Sequence, residues 1–428
     1  MERQYKDSGI EWIGRIPKEW KACRFKYAGS FEKGKLPEEQ NIEQKGFPII
    51  GASEMLGKEP RVFTMDNLVP VCGKEDILIL WDGANAGIVA NGCEGVVSST
   101  AVKFDCNNNQ YNKQFVFYLL KYYENYFRSK VGGTTIPHMN QQYIDDCICL
   151  LPSLSEQQHI AEYLDGKCEE IDGLIALQEH MIAQLTEYKL SVITETVTKG
   201  LDPDSQLVPS YIDWIGDIPK GWGLTKMDYI CSVITDFVAS GSFESLRINV
   251  PYIDSPDYAM LVRTADLSGS AKTDKRVYIS KHSYDFLKNS NLFGGEIILP
   301  NIGASVGDVY MVPESMYSKM SLGPNAIMVK TKYFDKYFYY YFLGEPGRRS
   351  VINMCQATAQ PKFNKTQLRG LQVLLPSIEE QKRISIFLDA KCDEIDKLIE
   401  TKQQKIETLK EYKKSVIYEA VTGKTIIE

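Results

Sequence analysis

The sequence has few of the residues on which most metal and catalytic sites depend. Only four histidines occur in 428 residues, and they are scattered at His138, His159, His180 and His282. The ten cysteines include no CxxC pair. Zinc sites and Ser-His-Asp triads need such residues close together. The sequence therefore gives no support to a metal site or a triad, and we expect this chain to catalyse nothing alone.

Long apolar runs are also missing. No run reaches the roughly 18–20 residues that cross a bilayer, and Met1–Trp12 is polar. We therefore expect a cytoplasmic protein without membrane contact, whose cysteines stay reduced. The length allows two or three domains, and 43% hydrophobic and 25% charged residues are ordinary for a globular protein.

Positive charge is scarce and unevenly distributed. The net charge of −7 argues against a free-standing nucleic-acid binder. Residues 151–221 hold 4 Lys and Arg against 13 Asp and Glu, whereas residues 222–375 hold 17 against 13 and residues 20–150 hold 14 against 15. Residues 20–150 and 222–375, which are neutral to basic, can therefore contact DNA. The acidity of residues 151–221 implies that another chain supplies positive charge.

An internal repeat is the strongest feature that the sequence does contain. Leu150–Thr198 returns as Leu374–Thr422 at a constant offset of 224, with 27 of 49 positions identical. A shorter motif, Ser8–Trp20, returns as Ser210–Trp222 and holds four of the five tryptophans. The two inserts between these stretches share almost nothing. A duplicated frame with divergent inserts favours a protein that presents two different recognition surfaces.

Each long repeat predicts an amphipathic helix with a coiled-coil seam. Apolar residues recur at alternating steps of four and three, which is heptad spacing. Ser155 and the acidic and Gln residues after it predict the start of the first helix, and Gly200 and Gly423 predict the two ends. The predicted seam comprises Leu164, Cys168, Ile171, Ile175, Ile182, Leu185 and Val192, and in the second helix Leu388, Cys392, Ile395, Ile399, Ile406, Leu409 and Val416.

Two such helices in one chain most simply pack against each other. An antiparallel pair would place the inserts at opposite ends, and the polar seam residues Gln178, Lys189, Lys402 and Lys413 would help to fix its register. The alternative is that each helix belongs to the core of a separate domain.

The two inserts follow one plan despite their different sequences. Each has a short apolar strand, a Gly/Ala turn, an aromatic-rich helix and a polar loop, in that order. In the first insert these are Asp76–Leu80, Gly83–Gly87, Asn112–Ser129 and Val131–Gln142. In the second they are Glu296–Pro300, Gly303–Gly307, Asp335–Leu343 and Cys355–Gln367. Each insert is therefore predicted to be a mixed α/β domain with the aromatic helix in its core.

Two short motifs carry a family resemblance. One precedes each insert, as Trp12-Ile13-Gly14, Ile16-Pro17 and Trp20, and again as Trp214-Ile215-Gly216, Ile218-Pro219 and Trp222. The other opens each long helix, as Leu151-Pro152, Glu156-Gln157 and Ile160, and again as Leu375-Pro376, Glu380-Gln381 and Ile384. With the order insert, helix, insert, helix, this pattern resembles the specificity (S) subunit of type I restriction–modification systems over nearly the whole chain.

That resemblance implies an α+β protein with a pseudo-two-fold internal repeat. Two target recognition domains would occupy residues 1–152 and 201–376, and the long helices, residues 153–200 and 377–428, would form an antiparallel coiled coil between them. Each domain would recognise one half of a split, asymmetric site in double-stranded DNA. The coiled coil would set the spacer between the halves.

The resemblance also implies partners and cofactors. Two methyltransferase (modification) subunits would bind this chain, and motor-nuclease (restriction) subunits would join them for phage defence. No cofactor is expected on this chain, a non-catalytic subunit, whereas S-adenosylmethionine, ATP and Mg²⁺ are expected in the partner subunits.

Side-chain chemistry predicts which residues contact DNA bases. Amide, hydroxyl and cationic groups in the two polar loops can make directional contacts with base edges. The predicted base-contacting residues are Thr134, Thr135, His138, Asn140 and Gln141, and in the second insert Gln356, Thr358, Gln360, Lys362 and Asn364. The alternative is that these side chains cap the following strand and helix.

A second, basic set of residues is predicted to contact phosphate. These residues lie in charge clusters near helix or turn ends, where point charges can follow the DNA backbone. The set is Arg128, Lys130, Lys272, Lys275, Arg276, Arg348 and Arg349. The alternative is a solvated surface.

Two other functions stay open on the sequence alone. One is a non-DNA scaffold whose coiled coil joins two protein partners. The other is the specificity subunit of a type II system with a fused methyltransferase-nuclease. A salt-dependent, sequence-specific footprint would exclude the scaffold, and the neighbouring genes would decide between the two system types.

Overall fold

The protein is an α+β chain that divides into two compact units. The computed structural model describes residues 3–10, 13–66, 68–106, 110–132, 137–269, 275–355 and 360–427. The first unit is Met1–Glu179 with Gln403–Glu428, and the second is His180–Lys402. Within the described part of the chain, no helix is both long and apolar enough to cross a membrane.

The first insert and its flanks supply the following elements of the first unit. The strands are β1 (Tyr5–Asp7), β2 (Arg15–Pro17), β3 (Lys21–Arg24), β4 (Ser30–Lys33), β5 (Phe47–Ile50), β6 (Phe63–Thr64), β7 (Val71–Cys72), β8 (Ile77–Leu80), β9 (Val89–Ala90), β10 (Gly95–Val97), β11 (Ala101–Asp105) and β12 (Ile148–Leu151). The helices are α1 (Ala52–Met55), α2 (Lys113–Lys130), α3 (Gln141–Asp145) and the long α4 (Leu154–Lys199), which continues into the second unit.

The second unit has a matching series. Its strands are β13 (Leu207–Pro209), β14 (Asp217–Pro219), β15 (Gly223–Lys226), β16 (Cys231–Asp236), β17 (Ala259–Val262), β18 (Tyr278–Ile279), β19 (Asn291–Leu292), β20 (Ile297–Pro300), β21 (Tyr310–Met311), β22 (Met320–Leu322), β23 (Ala326–Thr331) and β24 (Gln372–Leu375). Its helices are α5 (Met227–Ile230), α6 (Phe243–Asn249), α7 (Thr264–Leu267), α8 (Lys281–Phe286), α9 (Asp335–Leu343), α10 (Glu345–Asn353), α11 (Lys365–Gly370) and the long α12 (Ile378–Val421), which continues into the first unit.

The two inserts have the same strand order. One four-stranded sheet is β4-β11-β8-β9 in the first unit and β16-β23-β20-β21 in the second. The other is β6-β5-β10-β7 and β18-β17-β22-β19, with one parallel pair, β5–β10 or β17–β22. The apolar runs predicted as strands are β8 and β20, which are buried at every residue. Two sequences that share almost nothing therefore build one topology.

Both aromatic helices are in the cores of their units, as predicted. Helix α9 has the predicted bounds, and α2 differs from its prediction by one residue at each end, with Asn112 as its N-cap. Tyr118 donates a hydrogen bond to Asp165 at 2.7 Å, and Tyr340 donates to Asp389 at 2.7 Å. Burial, and then the carboxylate contact, raise the pKa of each tyrosine, so that the hydroxyl stays a donor. Each aromatic helix is thereby tied to a long helix within its own unit.

The long helices start and stop at short-range signals. The Ser153 and Ser377 hydroxyls accept hydrogen bonds from the backbone N–H of Glu156 and Glu380, both at 3.3 Å. The predicted start at Ser155 is therefore wrong, because Ser153 supplies the cap and α4 begins at Leu154. The predicted ends at Gly200 and Gly423 are confirmed, with φ of +75° and +69°.

In the first unit, one tryptophan joins the start of α4 to the end of α12. The Trp20 indole donates to Glu156 at 2.9 Å. A Cβ added to Gly423 would lie 3.0 Å from the Trp20 ring, so the end of α12 packs against the same side chain. Further along, Lys413 pairs with Asp172 at 2.6 Å. The two helix segments in this unit are therefore antiparallel.

The second unit repeats this arrangement with the helices exchanged. The Trp222 indole donates to Glu380, at the start of α12, at 3.3 Å. A Cβ on Gly200, at the end of α4, would lie 3.2 Å from the Trp222 ring. Lys189 pairs with Asp396 at 2.6 Å, so these segments are antiparallel too. All the predicted seam residues are buried or half-buried in their own units.

A buried glutamine at each helix start satisfies backbone groups of the insert. Gln157 accepts a hydrogen bond from Asn112 N at 2.8 Å and donates to the carbonyl oxygens of Gln110 and Pro152. Gln381 accepts from Phe334 N at 3.2 Å and donates to the Pro376 carbonyl at 2.9 Å. Both side chains are fully buried. The repeated Glu-Gln pair therefore joins each long helix to its insert.

Replacing Gln157 with leucine should destabilise the protein by about 3 kcal/mol, because buried backbone groups lose their partners at roughly 1–3 kcal/mol each. The matched control is Gln158→Leu, since Gln158 is exposed on the next position of the same helix and should change stability by less than about 0.5 kcal/mol. Urea unfolding of the full chain, followed by circular dichroism, measures both. Equal losses for the two variants would contradict this role of Gln157.

Candidate nucleic-acid interface

In the first unit, the polar loop pairs with the Gly/Ala turn that follows β8. Gly83 N donates to the Pro137 carbonyl at 2.9 Å, and Met139 N donates to the Trp81 carbonyl at 2.8 Å. His138 lies between them in an isolated β-bridge with Asp82. Because side chains alternate along an extended segment, Met139 is buried while His138 is exposed. The turn and the loop, far apart in sequence, thus form one surface.

The second unit has the same pairing after β20. Gly303 N donates to the Pro361 carbonyl at 3.0 Å, and Phe363 N donates to the Asn301 carbonyl at 3.1 Å. Lys362 forms the β-bridge with Ile302. Phe363 is buried and Lys362 is exposed. Lys362 therefore occupies the position that His138 has in the first unit.

The Gly/Ala turn needs glycine at both of its ends. All four glycines have a left-handed backbone, with φ of +95° at Gly83, +91° at Gly87, +94° at Gly303 and +100° at Gly307. A Cβ on Gly87 would lie 2.9 Å from Arg128 N, and one on Gly307 would lie 3.2 Å from the Ile352 side chain and 3.4 Å from Arg348 Cγ. The far end of each turn therefore packs against an arginine, Arg128 at the end of α2 or Arg348 in α10. Both arginines are exposed.

Side-chain contacts to carboxylates hold each loop in place. In the first unit, Asp82 contacts His138 Nδ1 and lies 3.4 Å from Lys33 Nζ. In the second unit, Lys365 Nζ lies 2.7 Å from Asp236 Oδ1, at the end of β16. Since Lys33 ends β4 and β4 matches β16, both pairs lie beside the same edge of the sheet. We name the surface formed by the Gly/Ala turn, the described loop residues Pro137–Asn140 or Pro361–Asn364 and the adjacent arginine the turn–loop surface.

Two of the predicted base-contacting residues are helix caps. Asn140 Oδ1 accepts from Gln142 N at 2.9 Å and caps α3, while Asn364 Oδ1 accepts from Gln367 N at 2.9 Å and caps α11. This is the capping alternative that the sequence left open. Gln141 donates to Asp145 at 3.2 Å, and Gln360 is exposed with its Nε2 3.7 Å from where a Cβ on Gly303 would lie.

The remaining predicted residues have varied positions. Lys130 lies over the Tyr126 ring at 5.5 Å, and Arg349 pairs with Glu345 at 3.3 Å within α10. Lys275 and Arg276 precede β18, in the other sheet of the second unit. Thr134, Thr135, Lys272, Gln356 and Thr358 lie outside the described residues. Among the described residues, no group of three or more His, Cys, Asp or Glu side chains could hold a metal ion.

Sequence reasoning missed the residues that position the loops, namely Lys33, Asp82, Asp236 and Lys365. A signal for the loop itself was present. Pro137 and Asn140 return as Pro361 and Asn364 at the same offset of 224 as the long helices. The repeated frame therefore begins before Leu150 and includes the loop that binds the Gly/Ala turn.

Residues 17–187 and 222–410 match the family described as type I restriction modification DNA specificity domain. The chain is 27% identical over 421 residues to the type I restriction enzyme MjaVIII specificity subunit of Methanocaldococcus jannaschii, covering 96% of this chain and 94% of that protein. It is 23% identical over 358 residues to the type I restriction enzyme EcoBI specificity subunit of Escherichia coli, covering 82% and 73%.

A solved structure is similar over the whole fold. It comes from work on complex assembly and conformational transition of the type I R-M system. A chain in it superposes with a TM-score of 0.67, covering 96% of this chain and 99% of that one. At 16% sequence identity, this likeness shows the fold alone.

Replacing either cap, Asn140→Ala or Asn364→Ala, should cost about 1 kcal/mol of stability, because the first turn of a helix loses its side-chain acceptor. Asn140→Asp and Asn364→Asp keep an acceptor oxygen and serve as controls with near-native stability in urea unfolding. Changed DNA sequence preference in a stable Asn140→Asp variant would show that Asn140 also contacts a base.

Proposed function

The chain belongs to the type I restriction modification DNA specificity family and is the DNA-recognition subunit of such a system, and we propose that its two units recognise the two halves of one split, asymmetric DNA site. The supporting observation is one topology with different side chains at matching positions. Outside the loops at Pro137–Asn140 and Pro361–Asn364, the two inserts share almost nothing in sequence although their strands have the same order. Different chemistry at matching positions favours different half-sites and hence a non-palindromic target.

The long helices support a spacer-setting role. Helix α4 has 46 residues and α12 has 44, so each is about 65–70 Å long at about 1.5 Å per residue. Recognition elements that address one face of DNA need a separation of one helical turn, about 34–36 Å, or a multiple of it. Helices of this length are therefore long enough to set such a distance. The Asp172–Lys413 and Lys189–Asp396 pairs fix the antiparallel register in their respective units.

The family acts within restriction–modification assemblies, and we propose which subunits join this chain. Two methyltransferase subunits would bind this chain, and motor-nuclease subunits would join them. S-adenosylmethionine, ATP and Mg²⁺ would be bound by those partners, and this chain would contribute recognition without catalysis. Two features support docking on the long helices: the acidity of residues 151–221, and large apolar side chains exposed on α4 and α12, among them Leu177, Tyr188, Leu398 and Tyr412.

Exchange of an insert tests the proposed function. A chain in which residues 223–375 are replaced by residues 21–151 joins the same matched ends, Trp222 and Pro376. Coexpressed with its methyltransferase subunits, it should methylate an inverted repeat of one original half-site. The reciprocal chain, with two second inserts, is the control and should methylate a repeat of the other half. Methylome sequencing measures both, and a wild-type chain that directs methylation to no split motif would overturn the proposal.

Lengthening both helices tests the spacer role. Because Asp172 pairs with Lys413 in antiparallel segments, the position after Leu177 lies opposite the position after Glu407. Adding four residues at each of these two positions should lengthen the helix pair by about 6 Å. Four residues are close to one helical turn, so the seam keeps its phase apart from a stutter. At about 3.4 Å per base pair, the methylated motif should gain about two base pairs of spacer with both half-sites unchanged. An active variant with its original spacer would show that other parts of the complex set this distance.

A further inference from the structure

A comparison of the two units distinguishes residues that hold DNA of any sequence from residues that recognise a particular sequence. If they recognise different half-sites, a feature that both share cannot specify either sequence. The loops at Pro137–Asn140 and Pro361–Asn364 are such a feature. They have identical first and last residues, the same offset as the long helices, and the same pairing with the Gly/Ala turn.

The one exposed residue between the ends of each loop has shared chemistry. His138 and Lys362 occupy the same β-bridge position, and each is followed by a buried apolar residue. The His138 side chain is 55% exposed although its Nδ1 contacts Asp82. Both side chains can present an N–H donor, and lysine is a point charge suited to phosphate.

Cationic side chains lie near both positions. Arg128 and Arg348 pack at the far end of the same turn, and both are exposed. A turn of five residues spans at most about 14 Å between its ends, so the arginine at the far end lies near the loop that pairs with the near end. Lys33 and Lys365 lie beside the loops, each within 3.4 Å of a carboxylate that holds it in place. Repeated positive charge on a fixed backbone surface is the arrangement that follows DNA phosphates.

We propose that His138 and Lys362 contact the DNA backbone at equivalent phosphates of the two half-sites, so that the turn–loop surface anchors DNA of any sequence. This assigns the two residues to phosphate binding in place of the base contacts that side-chain chemistry alone predicts. The inference rests on the proposed function, since it concerns the same DNA-binding surface. Base selection then belongs to residues that differ between the inserts outside this shared loop.

The first experiment exchanges the two residues. The double variant His138→Lys, Lys362→His, purified with its methyltransferase subunits, is used to select DNA from a library in which both half-sites are randomised. The expected result is the wild-type motif in both halves. A changed base preference in either half would overturn the inference. Failure of the wild-type complex to select any split motif would instead count against the proposed function.

The second experiment measures salt dependence. Lys362→Ala should weaken binding by the same factor for the selected site and for unrelated DNA, and the slope of log affinity against log salt should fall by about one. Lys220→Ala is the control, because Lys220 is an exposed lysine of the same unit outside the turn–loop surface, and it should leave the slope unchanged. An unchanged slope for Lys362→Ala would overturn the phosphate contact.

Discussion

The hydrogen bond from a tryptophan indole to a glutamate at the start of a long helix is the contact on which each unit depends. Trp20 holds Glu156 and packs against Gly423, so three distant parts of the chain meet at one side chain. Trp222 does the same with Glu380 and Gly200. These residues constrain one another, because an unpaired indole or a Cβ at the glycine would disturb the shared contact. That coupling explains why the sequence repeats itself here and diverges elsewhere.

Local signals made the helices and the central strands predictable. The heptad spacing of α4 and α12, the stop at Gly200 and Gly423, and the bounds of α9 all follow from periodicity and backbone preference within a few residues. The cap of α4 was predicted two residues too late, because Ser153 and Ser155 can both cap a helix and only the structure shows which hydroxyl meets Glu156 N. The shared topology of the inserts was not predictable, since strand pairing depends on contacts far apart in sequence.

The turn–loop surface was predictable only in parts. The Gly/Ala turn and the polar loop were each recognisable by composition, but their pairing is a non-local backbone contact with no signature in either segment. The functional role of Asn140 was also ambiguous, because an amide can bind a base edge or a helix end with the same atoms. Asp82 lies between β8 and the Gly/Ala turn, and Lys33 ends β4, but neither residue is distinguished in the sequence by a motif or a spacing of its own.

The paired strands at the base of each insert have an evolutionary consequence. Lys21 faces Leu151, and Gly223 faces Leu375, so the chain enters and leaves an insert at adjacent residues. The first insert, residues 21–151, is 22 residues shorter than the second, residues 223–375, and both fit the same frame. Loop-closure entropy grows only with the logarithm of length, so this difference costs about 0.1 kcal/mol. The repeated frame therefore places almost no constraint on the length of an insert, and insertions and deletions there cost little stability. DNA recognition can diversify in this way while the parts of the chain that assemble with other subunits stay the same.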